Sequence, residues 1–90
     1  MVKIVLEIQD INVLEVVENY RGVTVEEITL EIFGEYFKEY ALDIQKSLNK
    51  LAQKKLVRKY GSYNRSPFYY PVYTFTQSQD LKQQLLEANR

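Results

Sequence analysis

The segment from Lys46 to Thr76 limits what this chain can fold into more than any other part of it. Leu48 and Leu51 stand at helical spacing, Leu56-Val57-Arg58-Lys59-Tyr60 follows, and a polar, aromatic stretch leads back to Val72-Tyr73-Thr74-Phe75-Thr76. That order reads as a helix running into a two-stranded hairpin. The helix has one apolar face for a core and one Lys/Gln/Asn face for solvent, and the hairpin beside it carries further cations.

The 90 residues allow one domain, spanning 1–90. A chain of this size buries only about 60–65% of the surface that it exposes when unfolded, so dimerisation is expected to add area. Regular apolar periodicity at 46% hydrophobic content argues for a folded globule. No run of about 18 apolar residues is present to span a bilayer. The apolar start Val2-Lys3-Ile4-Val5-Leu6 is broken by Glu7 and Asp10, unlike a signal peptide, and the expected location is cytoplasmic. With no Cys and no His, disulfides, structural zinc and imidazole acid/base chemistry are excluded. Neither a Gly-rich phosphate loop nor a paired-acid motif is present, so the reading is a non-enzyme with no metal and no cofactor.

Net charge is zero, yet the charges are segregated. From Val5 to Phe37 eight acids (Glu7, Asp10, Glu15, Glu18, Glu26, Glu27, Glu31, Glu35) face Arg21 alone, a net −7. From Lys38 to Arg65 eight bases (Lys38, Lys46, Lys50, Lys54, Lys55, Arg58, Lys59, Arg65) face Glu39 and Asp43, a net +6. A solvated surface would explain either block singly. The coincidence of the basic block with the helix and hairpin is what points to an anionic partner.

Along the chain, Val2, Ile4, Leu6 and Ile8 alternate like a short strand, with Asp10 as a candidate N-cap before a helix from Ile11 to Tyr20 that stops at Arg21-Gly22. Thr24-Val25-Glu26-Glu27 is a capping box, so a second helix starts at Val25, buries Ile28, Ile32 and Leu30 or Phe33, and ends at Gly34. Glu35 to Tyr40 links it to a third helix, about Tyr40 to Lys55, with Ile44, Leu48 and Leu51 inward. At 100° per residue, Leu42, Lys46, Asn49, Lys50 and Gln53 face outward, with Gln45 and Asp43 at the margins. The hairpin strands are expected at about Leu56 to Tyr63 and Val72 to Thr76, around a turn at Asn64-Arg65-Ser66-Pro67. Ser78 can cap a last helix from Gln79 to about Ala88, with Leu81, Leu85 and Leu86 on its apolar side.

Three pieces of this pattern resemble the winged helix-turn-helix regulators of bacteria and archaea, the broad group with MarR-like, ArsR-like and PadR-like members. They are Val23-Thr24-Val25-Glu26-Glu27-Ile28, the run Ile44, Leu48, Leu51, Leu56-Val57, and Tyr73-Thr74-Phe75-Thr76. Together they span residues 11 to 76 or so. Two features depart from the group's pattern: Lys55 stands where a Gly is usual between helix and hairpin, and the linker from Gly34 to Tyr40 is long.

The resemblance implies an α+β, mostly α, fold: a three-helix core, a two-stranded hairpin wing and an extra C-terminal helix. It implies a homodimeric regulator binding double-stranded DNA, with the third helix in the major groove and the wing on the backbone or minor groove. Carried over by position, Gln45 and Asn49 would read base edges, and Lys46 and Lys50 would reach guanine edges or phosphates. Leu42, Gln53, Lys54 and Arg58 would complete the surface, and Arg65 would enter the minor groove. Leu81 and Leu85, in 79–89, would form the dimer interface. An alternative is a winged helix serving as a protein-interaction module without DNA binding, favoured by the zero net charge and the acidic first half. The aromatics Tyr60, Tyr63, Phe68, Tyr69, Tyr70 and Tyr73 suit cross-strand packing better than base stacking.

Overall fold

The Thr24 hydroxyl accepts a hydrogen bond from the Glu27 N–H (3.2 Å), and the Glu27 carboxylate accepts one from the Thr24 N–H (3.0 Å). Two of the amides that a helix start leaves unpaired are thus satisfied locally. The helix that follows, α2 (Val25–Phe33), ends at Gly34, whose φ of 79° is left-handed and whose N–H returns to the Leu30 carbonyl at 2.9 Å. In the computed structural model, which describes residues 5–61, 66–72 and 77–88, it is preceded by α1 (Ile8–Tyr20) and followed by α3 (Lys38–Gln53), β1 (Val57–Tyr60), β2 (Phe68–Pro71) and α4 (Gln77–Ala88). The layout is α+β and mostly helical, with one antiparallel two-stranded sheet.

Helix α1 lies at the centre, touching α2, α3, α4 and β2. Ile11, Val13, Leu14 and Val17 of α1 meet Ile28 of α2 and Ile44, Leu48 and Leu51 of α3, and Leu56, Val57 and Tyr69 close the core from the hairpin side. The expected inward face of α3 is therefore the observed one. On α2, Ile28 is fully buried, Ile32 and Phe33 are half-buried, and Leu30 is exposed. The additional buried residue is Thr29, whose hydroxyl donates to the Val25 carbonyl at 2.7 Å and so enters the core satisfied. Among the described residues no helix is long and apolar enough to cross a membrane.

Several boundaries differ from the sequence reading. Residues 5–7 are irregular and α1 begins at Ile8, with Glu7 as its N-cap, while residues 1–4 lie outside the described residues. Asp10 is thus not the cap but the third helical residue, and its carboxylate accepts the Glu7 N–H at 2.7 Å. Helix α3 begins two residues earlier than expected, at Lys38, leaving Gly34 to Phe37 as the turn. Stacking explains the early start: Tyr40 packs on Phe33 with ring centroids 4.3 Å apart and meets Phe37 edge to face at 5.4 Å, which winds the first turn against α2.

The strand that pairs with β1 is Phe68–Pro71, ahead of the expected span, of which only Val72 is described and lies outside the strand, and β1 ends at Tyr60. Pairing decides this: Val57 faces Pro71, Arg58 faces Tyr70, Lys59 faces Tyr69 and Tyr60 faces Phe68. One further bond joins the Val72 N–H to the Leu56 carbonyl (3.0 Å). Residues 73–76 and the tip residues Asn64 and Arg65 lie outside the described residues. Lastly, α4 starts at Gln77 and not Gln79.

Two backbone features place the hairpin on the helices. The Lys55 N–H bonds the Ala52 carbonyl (3.0 Å), the Leu56 N–H bonds the Leu51 carbonyl (2.9 Å), and Lys55 itself takes a φ of 62°. This is a Schellman closure with its apolar contact between Leu51 and Leu56, formed with Lys at the position that commonly holds Gly. Val23 then adds to the free edge of β2: Tyr69 N–H to Val23 O is 2.8 Å, and the N–H groups of Gly22 and Val23 both reach Tyr69 O at 3.2 Å. The loop between α1 and α2 thereby locks the hairpin against the helical core.

Candidate nucleic-acid interface

Leu42, Lys46, Asn49 and Gln53 fall at spacings of four, three and four on α3, so they form one straight stripe. All four are exposed, Leu42 to 54%. The helix termination described above puts Lys54 and Lys55 at the end of this stripe, both exposed, and the hairpin beyond adds the exposed Arg58 and Lys59 on opposite sides of β1. From Ile44 to Gln79 the sequence contains no Asp or Glu, while Lys46, Lys50, Lys54, Lys55, Arg58, Lys59 and Arg65 fall within it. The acids are elsewhere: Glu26 and Glu27 open α2, and Glu39 and Asp43 occupy the first half of α3. Potential therefore rises along α3 from its acidic start towards the hairpin.

Two of the expected readers are committed inside the molecule. Lys50 is only half-exposed; its ammonium pairs with the Asp10 carboxylate at 2.5 Å and donates to the Val5 carbonyl at 3.2 Å. It ties the start of α1 to the middle of α3. Gln45 is half-buried, and its amide nitrogen donates to the Tyr69 hydroxyl (3.0 Å) and to Asn49 Oδ1 (3.1 Å). The second bond occupies the Asn49 oxygen, leaving its amide nitrogen without a partner among the described residues. Gln45 thus orients Asn49 and fastens α3 to the hairpin.

A groove of about 310 Å³ beside the stripe is lined by Glu7, Gln9, Asp10, Asp43, Lys46, Ser47 and Lys50. Its three acids make it unsuited to an anion.

Tyr69 and Lys59 are the residues that position-by-position reading missed. Tyr69 is only 2% exposed because it points, with Val57, to the core side of the hairpin. Arg65 lies outside the described residues, as do the side chains of Leu81 and Leu85. Helix α4 packs along α1, with Lys82 3.9 Å from Glu15, so the first partner of this short helix is the chain's own α1. Its Leu86 remains 52% exposed. On the acidic side, Tyr20 is exposed beside Glu31, whose charge and hydrogen bond hold the phenol above its ordinary range.

Comparison with protein-family models, curated proteins and solved structures returned no match.

Proposed function

We propose that this chain is a sequence-specific double-stranded-DNA-binding transcriptional regulator of the winged helix-turn-helix type, with α3 in the major groove and the hairpin as the wing on the backbone. The carrying observation is the row of exposed cations Lys46, Lys54, Lys55, Arg58 and Lys59, on a stretch of sequence that holds no acid, with the exposed Asn49 and Gln53 in its midst. Cations there would meet phosphates, and the amides would meet adenine or guanine edges. The four-residue turn from Gly34 to Phe37 is of the length that joins the two helices of such a motif. Lys50 and Gln45 then act as positioning residues, holding the reading helix on α1 and the hairpin.

We place the dimer contact at α4, where Leu86 adds apolar surface after α4 has met α1. A two-fold pair would set two reading helices roughly 34–36 Å apart and imply a pseudo-palindromic site.

The protein-interaction alternative has one observation on its side: at the α2–α3 turn Tyr36 and Phe37 are half-exposed beside Glu35 and Glu39. Salt separates the two. Fluorescence anisotropy with labelled duplexes should show affinity falling by about two orders of magnitude between 50 and 200 mM salt if roughly four phosphates are neutralised. Lys46→Ala with Asn49→Ala should abolish the sequence preference at unchanged melting temperature. Affinity indifferent to salt, or indifferent to that pair of substitutions, refutes the DNA reading.

A further inference from the structure

Successive side chains of a strand alternate sides, so the register puts Arg58, Tyr60, Phe68 and Tyr70 together on one side of the hairpin and Val57, Lys59, Tyr69 and Pro71 on the other. On the second side Val57 and Tyr69 are buried against the core, while Lys59 is exposed. On the first, Tyr60 is 54% exposed, Phe68 41% and Tyr70 37%, which is unusual for three adjoining aromatic rings of a small domain. Cross-strand packing explains only part of this. Tyr60 and Tyr70 meet edge to face, 5.3 Å between centroids and 85° between planes, an arrangement that uses one ring's edge and leaves ring faces open. Tyr70 is itself held close over the Gly22 backbone, where an added Cβ would come within 2.9 Å of its ring.

Beside the pair is an open groove of about 570 Å³ lined by Arg58, Tyr60, Tyr70, Pro71 and Val72. That is within the range for small ligand-sized groups. An occupant must suit flat, exposed rings and one guanidinium in a region whose sequence holds no acid for 36 residues, Ile44 to Gln79. An unpaired base with its phosphate meets all three requirements, because its π face is free and its charge is negative. Bases inside a duplex do not, since their faces are already stacked.

We infer that this outer face of the hairpin is a binding site for single-stranded DNA, in which an unpaired base stacks on Tyr60 and Arg58 takes its phosphate. Lys54 and Lys55, both exposed just before β1, lie along the same chain segment and continue the backbone track. The stacking rings lie on the hairpin and not on the α3 stripe; the site shares the cations Lys54, Lys55 and Arg58 with the proposed duplex surface but does not depend on the duplex reading.

The test is fluorescence anisotropy of the full chain with labelled oligodeoxythymidylate, and in parallel with a duplex, at two salt concentrations. Wild type and Tyr60→Phe should both bind the single strand, because both offer a π face. Tyr60→Leu, which keeps apolar bulk at an exposed position, should lose roughly five- to 150-fold. Arg58→Gln should lower the salt slope by about 0.7, one phosphate on a single strand, and this readout stands even if Tyr60→Leu fails to fold. Lys46→Ala with Asn49→Ala should leave single-strand binding intact whatever it does to the duplex.

Failure of wild type to bind the oligonucleotide overturns the inference, as does Tyr60→Leu binding like Tyr60→Phe. Loss of single-strand binding in the α3 variant would assign the strand to α3 instead. A dimer that Tyr60→Leu dissociates, with oligonucleotide binding unchanged, would make the face a contact between copies and equally overturn it.

Discussion

Replacing Lys50 with Ala should destabilise the protein by about 2–3 kcal/mol, although the residue belongs by sequence to the solvent-facing side of a helix. The magnitude follows from what is left behind. Removing one partner of a buried ion pair costs about 3–5 kcal/mol, most of it for the stranded charge. Here the stranded group is the Asp10 carboxylate, whose side chain is 3% exposed. Two features reduce the cost: Asp10 still accepts the Glu7 N–H at 2.7 Å, and the Lys50 side chain is 32% exposed, so water screens the pair in part. The lost bond to the Val5 carbonyl adds a smaller contribution.

In a domain of this size each 1 kcal/mol moves the melting temperature by about 4–8 °C, so a fall of about 10–20 °C is expected in a thermal scan followed by circular dichroism. Asp10→Asn should cost less, about 1–2 kcal/mol, because the amide oxygen can still accept from Glu7 and Lys50 can turn to water. Urea titration of the two single variants and the double variant should give a coupling of at least 1 kcal/mol. A Lys50→Ala variant within about 0.5 kcal/mol of wild type, the range of an ordinary surface change, would refute the pair as a structural tie and return Lys50 to the candidate readers.

Three further substitutions check other steps of the argument. Leu48→Ala should cost about 2–5 kcal/mol by calorimetry, since Leu48 is fully buried between α1, α2 and the hairpin, and a loss below 1 kcal/mol would mean that α3 is rotated. Gly22→Ala should cost about 1–3 kcal/mol in urea, because φ is +105° and the new methyl would press on Tyr70; an unchanged midpoint would show that this loop relaxes freely. Lys55→Gly should leave stability equal or raise it by up to about 1 kcal/mol, the relief of a left-handed residue offset by glycine's freedom in the unfolded chain, whereas clear destabilisation would show that the lysine side chain itself stabilises the turn.

Local codes carried much of this structure on their face. Thr24 and Glu27 need only each other to start α2, Gly34 needs only its own lack of a Cβ to end it, and Ile44, Leu48 and Leu51 share one side of α3 by helical period alone. The charge segregation that supports an anionic partner is likewise visible in the sequence.

What depended on tertiary structure was every choice between locally equivalent options. Lys46 and Lys50 are neighbours on the same polar arc, and only the docking of α1 against α3 brings Asp10 to one of them and leaves the other to solvent. Tyr69 and Tyr70 are the same residue type in consecutive positions. Their opposite fates, one buried and bonded to Gln45, the other on the outer face, follow from strand alternation once β2, paired with β1 and Val23, is docked on the helical core. Asp10 suits a helix cap by type, but the chain reaches it already helical because Glu7 supplies the cap one turn earlier. Contacts between residues distant in sequence settle such ties, because the free energy that separates the options resides in the partner and not in the residue.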